Sequence, residues 1–557
     1  MEAEAKKALP IGEDDFRTVI EEDYYYIDKT LLIKDFLTYK NKVALITRPR
    51  RFGKTLNMTM LRDFLDITGD SQKIFEGLKI METRYADRIN SVPVVYLSLK
   101  NCIGKTVEDL ETSFAEEMYR EYKKYGKQLA NVDKKDSDYS RFFKVFNILE
   151  EEKEGEDRNK HIQKNLIFIQ HSLSYLIEAL YTYYNVRPIV LIDEYDNPII
   201  EAHLKGFREE FTSFFSTFLT TALKGNPHVA QALLTGIQRV AKESIFSKLN
   251  NVVVYNVLDE GYAEYFGLIE AETRTLLDFS GLELNDKVKQ YYDGYSFAGI
   301  EIYNPWSLLN YAQKKKMRNY WIKTSTNVLV KESVLAANPD FHRAFEKLIK
   351  DEKVSVGMNL EASFAELPRT DTLWGLLVNA GYLTVIDEDY ELNRFTVRIP
   401  NREIVTEFKE IVSEYTKLSS QMLQEMLVAL MNVDMDEFLN IYQELVLTST
   451  SYHDAKENAY HMLMLGMVMQ LRDLYEVTSN IEAGEGRSDI RLKSKSASRP
   501  HIILEFKQGE DVARLKHEAL EQIEEKQYYA GLEGNVLCVG IAHYKKKCEL
   551  VHEMRLL

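Results

Sequence analysis

Cysteine is almost missing from this chain. The three present in 557 residues, Cys102, Cys538 and Cys548, are too few and too scattered for a disulfide framework or a cysteine-ligated zinc site, and read as packing residues. Long apolar runs are missing too. No stretch approaches the roughly 18 residues a membrane helix needs, and the first ten, MEAEAKKALP, lack the apolar core of a signal peptide. The expectation is a cytoplasmic protein with no membrane partner. Positive charge is in deficit, 71 Lys and Arg against 87 Asp and Glu, for a net charge of −16. That balance argues against a chain that coats nucleic acid with its whole surface, and leaves room for a local basic groove. Of the basic clusters, Lys314-Lys315-Lys316-Met317-Arg318 and Lys545-Lys546-Lys547 read as solvated faces, whereas Arg48-Pro49-Arg50-Arg51 opens a motif. With 45% hydrophobic and 28% charged residues the composition is globular, and the length suggests about three or four domains.

What is present is organised around Arg48 to Thr55, RPRRFGKT. It follows the apolar run Val43-Ala44-Leu45-Ile46 and precedes a helical pattern through about Leu65, so a strand, a tight loop and a helix are expected. Glycine permits close backbone approach to phosphate, lysine meets the terminal phosphates, and a hydroxyl at a helix N-terminus meets Mg²⁺. Arg51, Gly53, Lys54 and Thr55 are the candidate nucleotide-binding residues here. The first glycine of the usual GxxxxGK[ST] loop would fall at Arg48, so the turn must be built from Pro49 and the arginines.

A partner motif lies downstream. Ile189-Val190-Leu191-Ile192 has the apolar character of a strand buried on both faces, and it ends in Asp193-Glu194. At the carboxyl end of such a strand an Asp can hold a nucleotide's Mg²⁺ and an adjacent carboxylate can activate water. Apolar runs at 43, 94, 189, 230 and 252, separated by helical stretches, describe an α/β P-loop sheet of parallel strands. Thr235 falls where a polar side chain can sense the γ-phosphate, and Arg239 is a candidate arginine finger. Residues 126–164, polar and dense in charge, read as an insertion or surface excursion.

Taken together, RPRRFGKT, IVLIDEYDNP, LLTGIQRVAKESIFSKLNN, YYDGYSF and IYNPWSLLN resemble the AAA-ATPase-like family of prokaryotic proteins, whose P-loop domain is usually joined to a C-terminal nuclease of the PD-(D/E)XK superfamily. The resemblance implies ATP binding and hydrolysis at Lys54, Thr55, Asp193 and Glu194, and it accommodates the replaced first glycine.

The middle of the chain is expected to be mainly helical. The aromatic clusters at 291–296 and 303–306 suggest a packed lid or domain corner. An apolar-faced helix over 372–383, two strand-like runs and a helix after Pro400-Asn401 suggest a winged-helix-like module, read as a packing unit because it lacks a basic recognition face. Further on, a nearly all-apolar helix over 459–471 begins just after Glu457.

Two strand-like runs, 488–492 and 501–507, flank a polar turn. If they form a hairpin centred near Ala497, Asp489 lies opposite Glu505, and Lys507 shares its face. Two acids and a lysine suit Mg²⁺-dependent phosphodiester cleavage, in which the acids hold a hard cation and the lysine orients or helps deprotonate water. The resemblance to PD-(D/E)XK nucleases assigns this role to Glu457, Asp489, Glu505 and Lys507, with Ser488 in place of the nominal proline; Gln522 and Lys526 are weaker candidates for phosphate contacts. The expected organisation is an ATPase domain over 1–258, a helical and winged-helix-like region over 259–415, and a restriction-endonuclease-like α/β domain over 416–557. The expected cofactors are ATP and Mg²⁺, and the expected partner is DNA or RNA, with a homo-oligomer left open. The competing reading is an ATP-switched regulator whose nuclease-like domain binds without cutting.

Overall fold

Five short apolar runs become five strands: β1 Val43–Thr47, β2 Val94–Ser98, β3 Ile189–Asp193, β4 Gln231–Gly236 and β5 Val252–Tyr255. All pair in parallel, in the order β2-β3-β4-β1-β5. Every residue of β1, β3 and β4 is buried, because helices cover both faces. β4 lies between the strand that leads into RPRRFGKT and the strand that ends in Asp193. The carboxyl ends of all three therefore meet at one edge.

The computed structural model describes residues 7–151, 154–238, 249, 251–321, 330, 333–334, 337–349, 353–361, 369–389, 391–415, 420–449, 464–465, 467–468, 471, 474–483 and 486–557. It divides into two compact units, residues 1–403 and 404–557.

In the first unit helix Val107–Gln128 is started by a capping box between Thr106 and Asp109, and helices Ser137–Glu150 and Gly155–Lys164 follow, so the segment 126–164, expected as an insertion or surface excursion, is folded. Phe142, Phe143, Val145, Ile148 and Leu149 form a buried stripe on the second of these helices, and Phe142 stacks on Tyr122 with ring centroids 4.8 Å apart.

The same unit continues through helix Asp286–Tyr292, the small hairpin β6 Tyr295–Phe297 and β7 Ile300–Ile302, and helix Pro305–Lys314. Asn304 caps that last helix by accepting the Ser307 amide at 3.1 Å. Tyr292, Tyr295 and Tyr303 are buried, as expected of a packed corner. Next come helix Pro339–Ile349, β8 Val354–Gly357, helix Thr370–Asn379, β9 Thr384–Asp389 and β10 Arg394–Arg398. The antiparallel order β8-β10-β9 adds a strand to the expected hairpin and completes a winged-helix-like topology. Its wing exposes Asp387, Glu388, Asp389 and Glu391, acids that repel phosphate.

The second unit is built on the order β11-β12-β13-β14-β15: Tyr475–Ala483, Gly486–Ser494, His501–Gln508, Asn535–Tyr544 and Lys547–Leu556. Its one parallel pair, β13 with β14, is joined through helix Val512–Glu525. Gly540 makes the packing of that helix possible: a Cβ there would lie 2.3 Å from the Lys516 carbonyl oxygen. Gly540 is also the β14 partner of Glu505, so the helix approaches the sheet closely beside this acid. Most of the apolar helix expected over 459–471, with Glu457 before it, lies outside the described residues; Met464, Leu465, Met467, Val468 and Leu471 are buried.

Candidate active sites

The loop after β1 turns through Arg51, at φ 67°, and Gly53, at φ 81°, before helix Lys54–Leu65 begins. Lys54 is only 6% exposed. Its Nζ donates to the carbonyls of Arg48, at 3.0 Å, and Pro49, at 2.8 Å, which fixes the amine over the loop and leaves one of its three protons for a ligand. Burial lowers its pKa, against the opposing pull of Glu194 and Asp193.

Asp193 is fully buried at the end of β3. Thr55 Oγ1 donates to its Oδ2 at 2.7 Å, and Thr235 Oγ1 donates to its Oδ1 at 2.5 Å. The meeting follows from register: β1 pairs Ile46 with Thr235, and β3 pairs Ile192 with Leu234. Glu194 sits at φ 52°, a disfavoured backbone for this residue, and its carboxyl pKa is raised by burial and then by Asp193. A carboxylate made more basic this way suits a proton acceptor.

Tyr195 and Asp196, which sequence reasoning did not single out, lock the exit of β4. Asp196 Oδ2 accepts the amides of Ile237, at 2.8 Å, and Gln238, at 3.0 Å, while Tyr195 Oη donates to the Gln238 carbonyl at 2.6 Å. The signal was present in the run Asp193-Glu194-Tyr195-Asp196 itself, which adds a tyrosine and a third acid to the expected pair.

Arg48 shows how the loop does without its first glycine. Its side chain is wholly buried, donating Nη1 to the carbonyls of Thr47, at 2.8 Å, and Tyr255, at 3.0 Å, over the rings of Phe297 and Phe266. Burial pushes its pKa down to about 9. Arg51, expected among the nucleotide contacts, is held instead by Trp306, 4.4 Å from guanidinium carbon to ring centroid, and by the Tyr320 carbonyl at 2.9 Å. Arg50 is the loop arginine whose charge acts on both Lys54 and Glu194. Arg239 lies outside the described residues.

In the second unit the β12–β13 ladder pairs Ile490 with Leu504, and the same register sets Asp489 opposite Glu505, as a hairpin centred at Ala497 requires. The ladder stops there and the acids take over. The Asp489 amide donates to Glu505 Oε2 at 3.2 Å, and Asp489 Oδ2 accepts the Phe506 amide at 2.8 Å. Each carboxylate thus replaces a ladder bond between strands that part at this point.

Glu505 is 2% exposed, and burial raises the pKa of Asp489 against the pull of Lys507. Lys507 Nζ lies 4.0 Å from Glu505 Oε1 and donates to Gln522 Oε1 at 2.5 Å. The Gln522 amide in turn donates to Glu505 and, at 2.9 Å, to Tyr528 Oη. Gln522, a weak candidate by sequence, therefore bridges the acid and the lysine from the neighbouring helix; Tyr528 was missed. Among the described residues no group of three or more His, Cys, Asp and Glu gathers as a metal site, and Glu457, the expected third carboxylate, lies outside them.

These donor sets fit hard cations: hydroxyl and carboxylate oxygens at one site, a buried and a half-buried carboxylate beside a lysine at the other. A phosphate loop and an acid-tipped strand on one sheet edge define a P-loop nucleotide site, and a parting hairpin with paired acids and a lysine defines a nuclease-like one. Residues 10–246 match the family model described as predicted AAA-ATPase, and residues 455–553 match that of the PD-(D/E)XK nuclease superfamily. The two matches lie in the order that the sequence suggested, one over each site. It is similar to an uncharacterized protein in the vnfD 5′ region of Azotobacter chroococcum mcd 1, 26% identical over 412 residues that span 73% of this chain and 70% of the relative. Among the described residues no helix is long and apolar enough to cross a membrane.

Proposed function

We propose that this protein is a cytoplasmic ATPase coupled to a Mg²⁺-dependent nuclease that cuts DNA or RNA phosphodiester bonds. Residues 1–258 serve the nucleotide, 259–415 form its lid, and 416–557 carry the cleavage site. In the first site Lys54 meets the terminal phosphates, and Thr55 with Asp193 would hold the cation. Glu194 accepts the proton of the attacking water, and Thr235 reports the γ-phosphate to the end of β4. In the second, Asp489 and Glu505 would hold Mg²⁺, with Glu457 as a further carboxylate. Lys507 orients water beside them, and Gln522 keeps its amine in place. Bound Mg²⁺ supplies charge neutralisation at phosphate and a lower pKa for coordinated water.

The observation that favours cutting over binding alone is the set Asp489, Glu505 and Lys507 at the parting end of a hairpin, with Gln522 joining Glu505 to Lys507. A module that only bound nucleic acid would present basic residues there, without two acids set side by side. The test is incubation of the purified chain with single- and double-stranded DNA and RNA, with Mg²⁺ or Mn²⁺, with and without ATP. Cleavage lost in Asp489→Ala supports the reading. Nucleic-acid binding with no cleavage under any of these conditions sinks it and leaves an ATP-switched binding protein.

A further inference from the structure

The arginine loop touches more than a nucleotide site. Arg51 is a non-glycine residue held at φ 67°, a conformation that persists only where surrounding contacts enforce it. Its guanidinium stacks on Trp306 and donates to the Tyr320 carbonyl at 2.9 Å, and Trp306 Nε1 donates to that same oxygen at 2.7 Å. On the other side of Tyr320, its amide donates to Glu403 Oε1, joined by the Trp321 amide at 2.9 Å. Ser307 Oγ completes the set by donating to Glu403 Oε2 at 2.7 Å. Trp306 and Ser307 are consecutive residues of helix Pro305–Lys314, so a single helical turn supports both ends of the chain of contacts.

Glu403 is 2% exposed, and its buried carboxylate is accounted for by these three donors. It is also the last residue of the first compact unit: helix Arg402–Tyr415 continues into Ile404, where the second begins.

We propose that the route from Arg51 through the Tyr320–Trp321 segment to Glu403 couples nucleotide binding at the phosphate loop to the start of helix Arg402–Tyr415. The proposal rests on the ATP-binding reading above and names the path by which the loop reaches that helix. Gly53, Lys54 and Thr55 bind the nucleotide on one side of the loop while Arg51 grips the Tyr320 segment on the other. A shift of the loop on binding phosphate pulls on the Tyr320 carbonyl, and the Tyr320 and Trp321 amides transmit it to Glu403. Between the Arg51 and Glu403 side chains the path consists of direct hydrogen bonds and the backbone of Tyr320 and Trp321, with no further side chain in between to absorb a displacement.

Hydrogen exchange tests this on the full chain, because the Tyr320 and Trp321 amides both end on Glu403. Adding Mg²⁺ with a non-hydrolysable ATP analogue is expected to change exchange at least fivefold in peptides covering 319–321 and 402–408 of the wild type. In Trp306→Leu, which leaves residues 53–55 intact, the analogue should still bind while the response at 402–408 disappears. ATP hydrolysis adds a second readout. Trp306→Leu and Glu403→Ala should keep basal ATP hydrolysis within about twofold of wild type while losing the exchange response at 402–408. Glu403→Gln, which keeps an acceptor for both amides, should restore most of that response and guards against a variant that merely unfolds. The proposal is overturned by unchanged exchange at 319–321 in analogue-saturated wild type, or by Trp306→Leu retaining the wild-type response at 402–408. A wild type that neither hydrolyses ATP nor cuts defeats the proposed activities, whereas the exchange experiment still judges the coupling path by itself.

Discussion

Lys54 and Lys507 stand beside acids of the same kind, yet they are held in different ways. Lys54 is tied to two backbone carbonyls of its own loop and is nearly buried. Lys507 is tied to the side chain of Gln522 on a separate helix, and its own side chain is 27% exposed. Backbone anchoring makes the first lysine a fixed feature of local sequence. Side-chain anchoring makes the second depend on a long-range contact, and so on the packing of helix Val512–Glu525 against β13 and β14. The acids differ in parallel: Asp193 is fixed by two threonine hydroxyls, whereas Asp489 and Glu505 are fixed by each other's strands.

The largest effect is expected where the acids themselves hold the structure. Asp489→Ala or Glu505→Ala should lower cleavage on the order of 10³-fold or more while basal ATP hydrolysis stays near wild type, measured in parallel on one preparation. Comparable losses of both activities would show that the two sites are not separable in the way their geometry suggests.

At the other site, Glu194→Gln should retain ATP binding and reduce hydrolysis by about 10²- to 10⁴-fold, the range for removing a positioned base. Lys54→Ala should instead abolish tight ATP binding, read by calorimetry. An unaltered affinity would contradict the role given to the buried amine.

The comparison between anchors is sharpened by Gln522→Ala, which leaves both acids and the lysine in place. Cleavage should fall about 10- to 100-fold, as for other residues that orient a metal site from outside. The equivalent perturbation of Lys54 would need a change of backbone, which no single side-chain replacement supplies.

The smallest effect concerns stability. Asp293, buried against the small hairpin β6–β7, has its carboxyl pKa raised from 3.8 to about 7 by burial, with a hydrogen bond and charge from Glu301 adding to it. A raised folded-state pKa favours the protonated acid, so this group's contribution to stability is full below pH 3.8 and is lost as pH rises to about 7. Asp293→Asn should therefore flatten the fall of Tm across that window, with little change of slope above it, in thermal melts at a series of pH values. An identical pH dependence in wild type and variant would assign the slope to other groups.

How much of this was legible in the sequence depended on the range of the contacts. β1, β3 and the helix at Lys54 announced themselves because a strand buried on both faces must be continuously apolar, and a phosphate loop packs its chemistry into eight consecutive residues. The facing of Asp489 and Glu505 was readable for a related reason: in a hairpin, alternation and a turn centre are enough to set register. Charge density at 126–164 concealed two helices, since the apolar stripe of Ser137–Glu150 is spread at helical spacing among polar residues and Gly155–Lys164 buries only Arg158 and Ile162.

By itself, then, the sequence placed Lys54, Thr55, Asp193, Glu194, Asp489, Glu505 and Lys507 in their local patterns through periodicity and short spacing. The two classes of site and the order of their domains came from those motifs together with the resemblance to the AAA-ATPase-like and PD-(D/E)XK families. Only the tertiary structure decided that Arg51 grips Trp306 and Tyr320 while Arg48 is buried in place of a glycine. It also decided that Thr235 joins Thr55 on one aspartate, and that Gln522 bridges Glu505 and Lys507. Those contacts join residues from 15 to 269 positions apart. They arise from strand order and helix packing, which no local pattern of residues encodes.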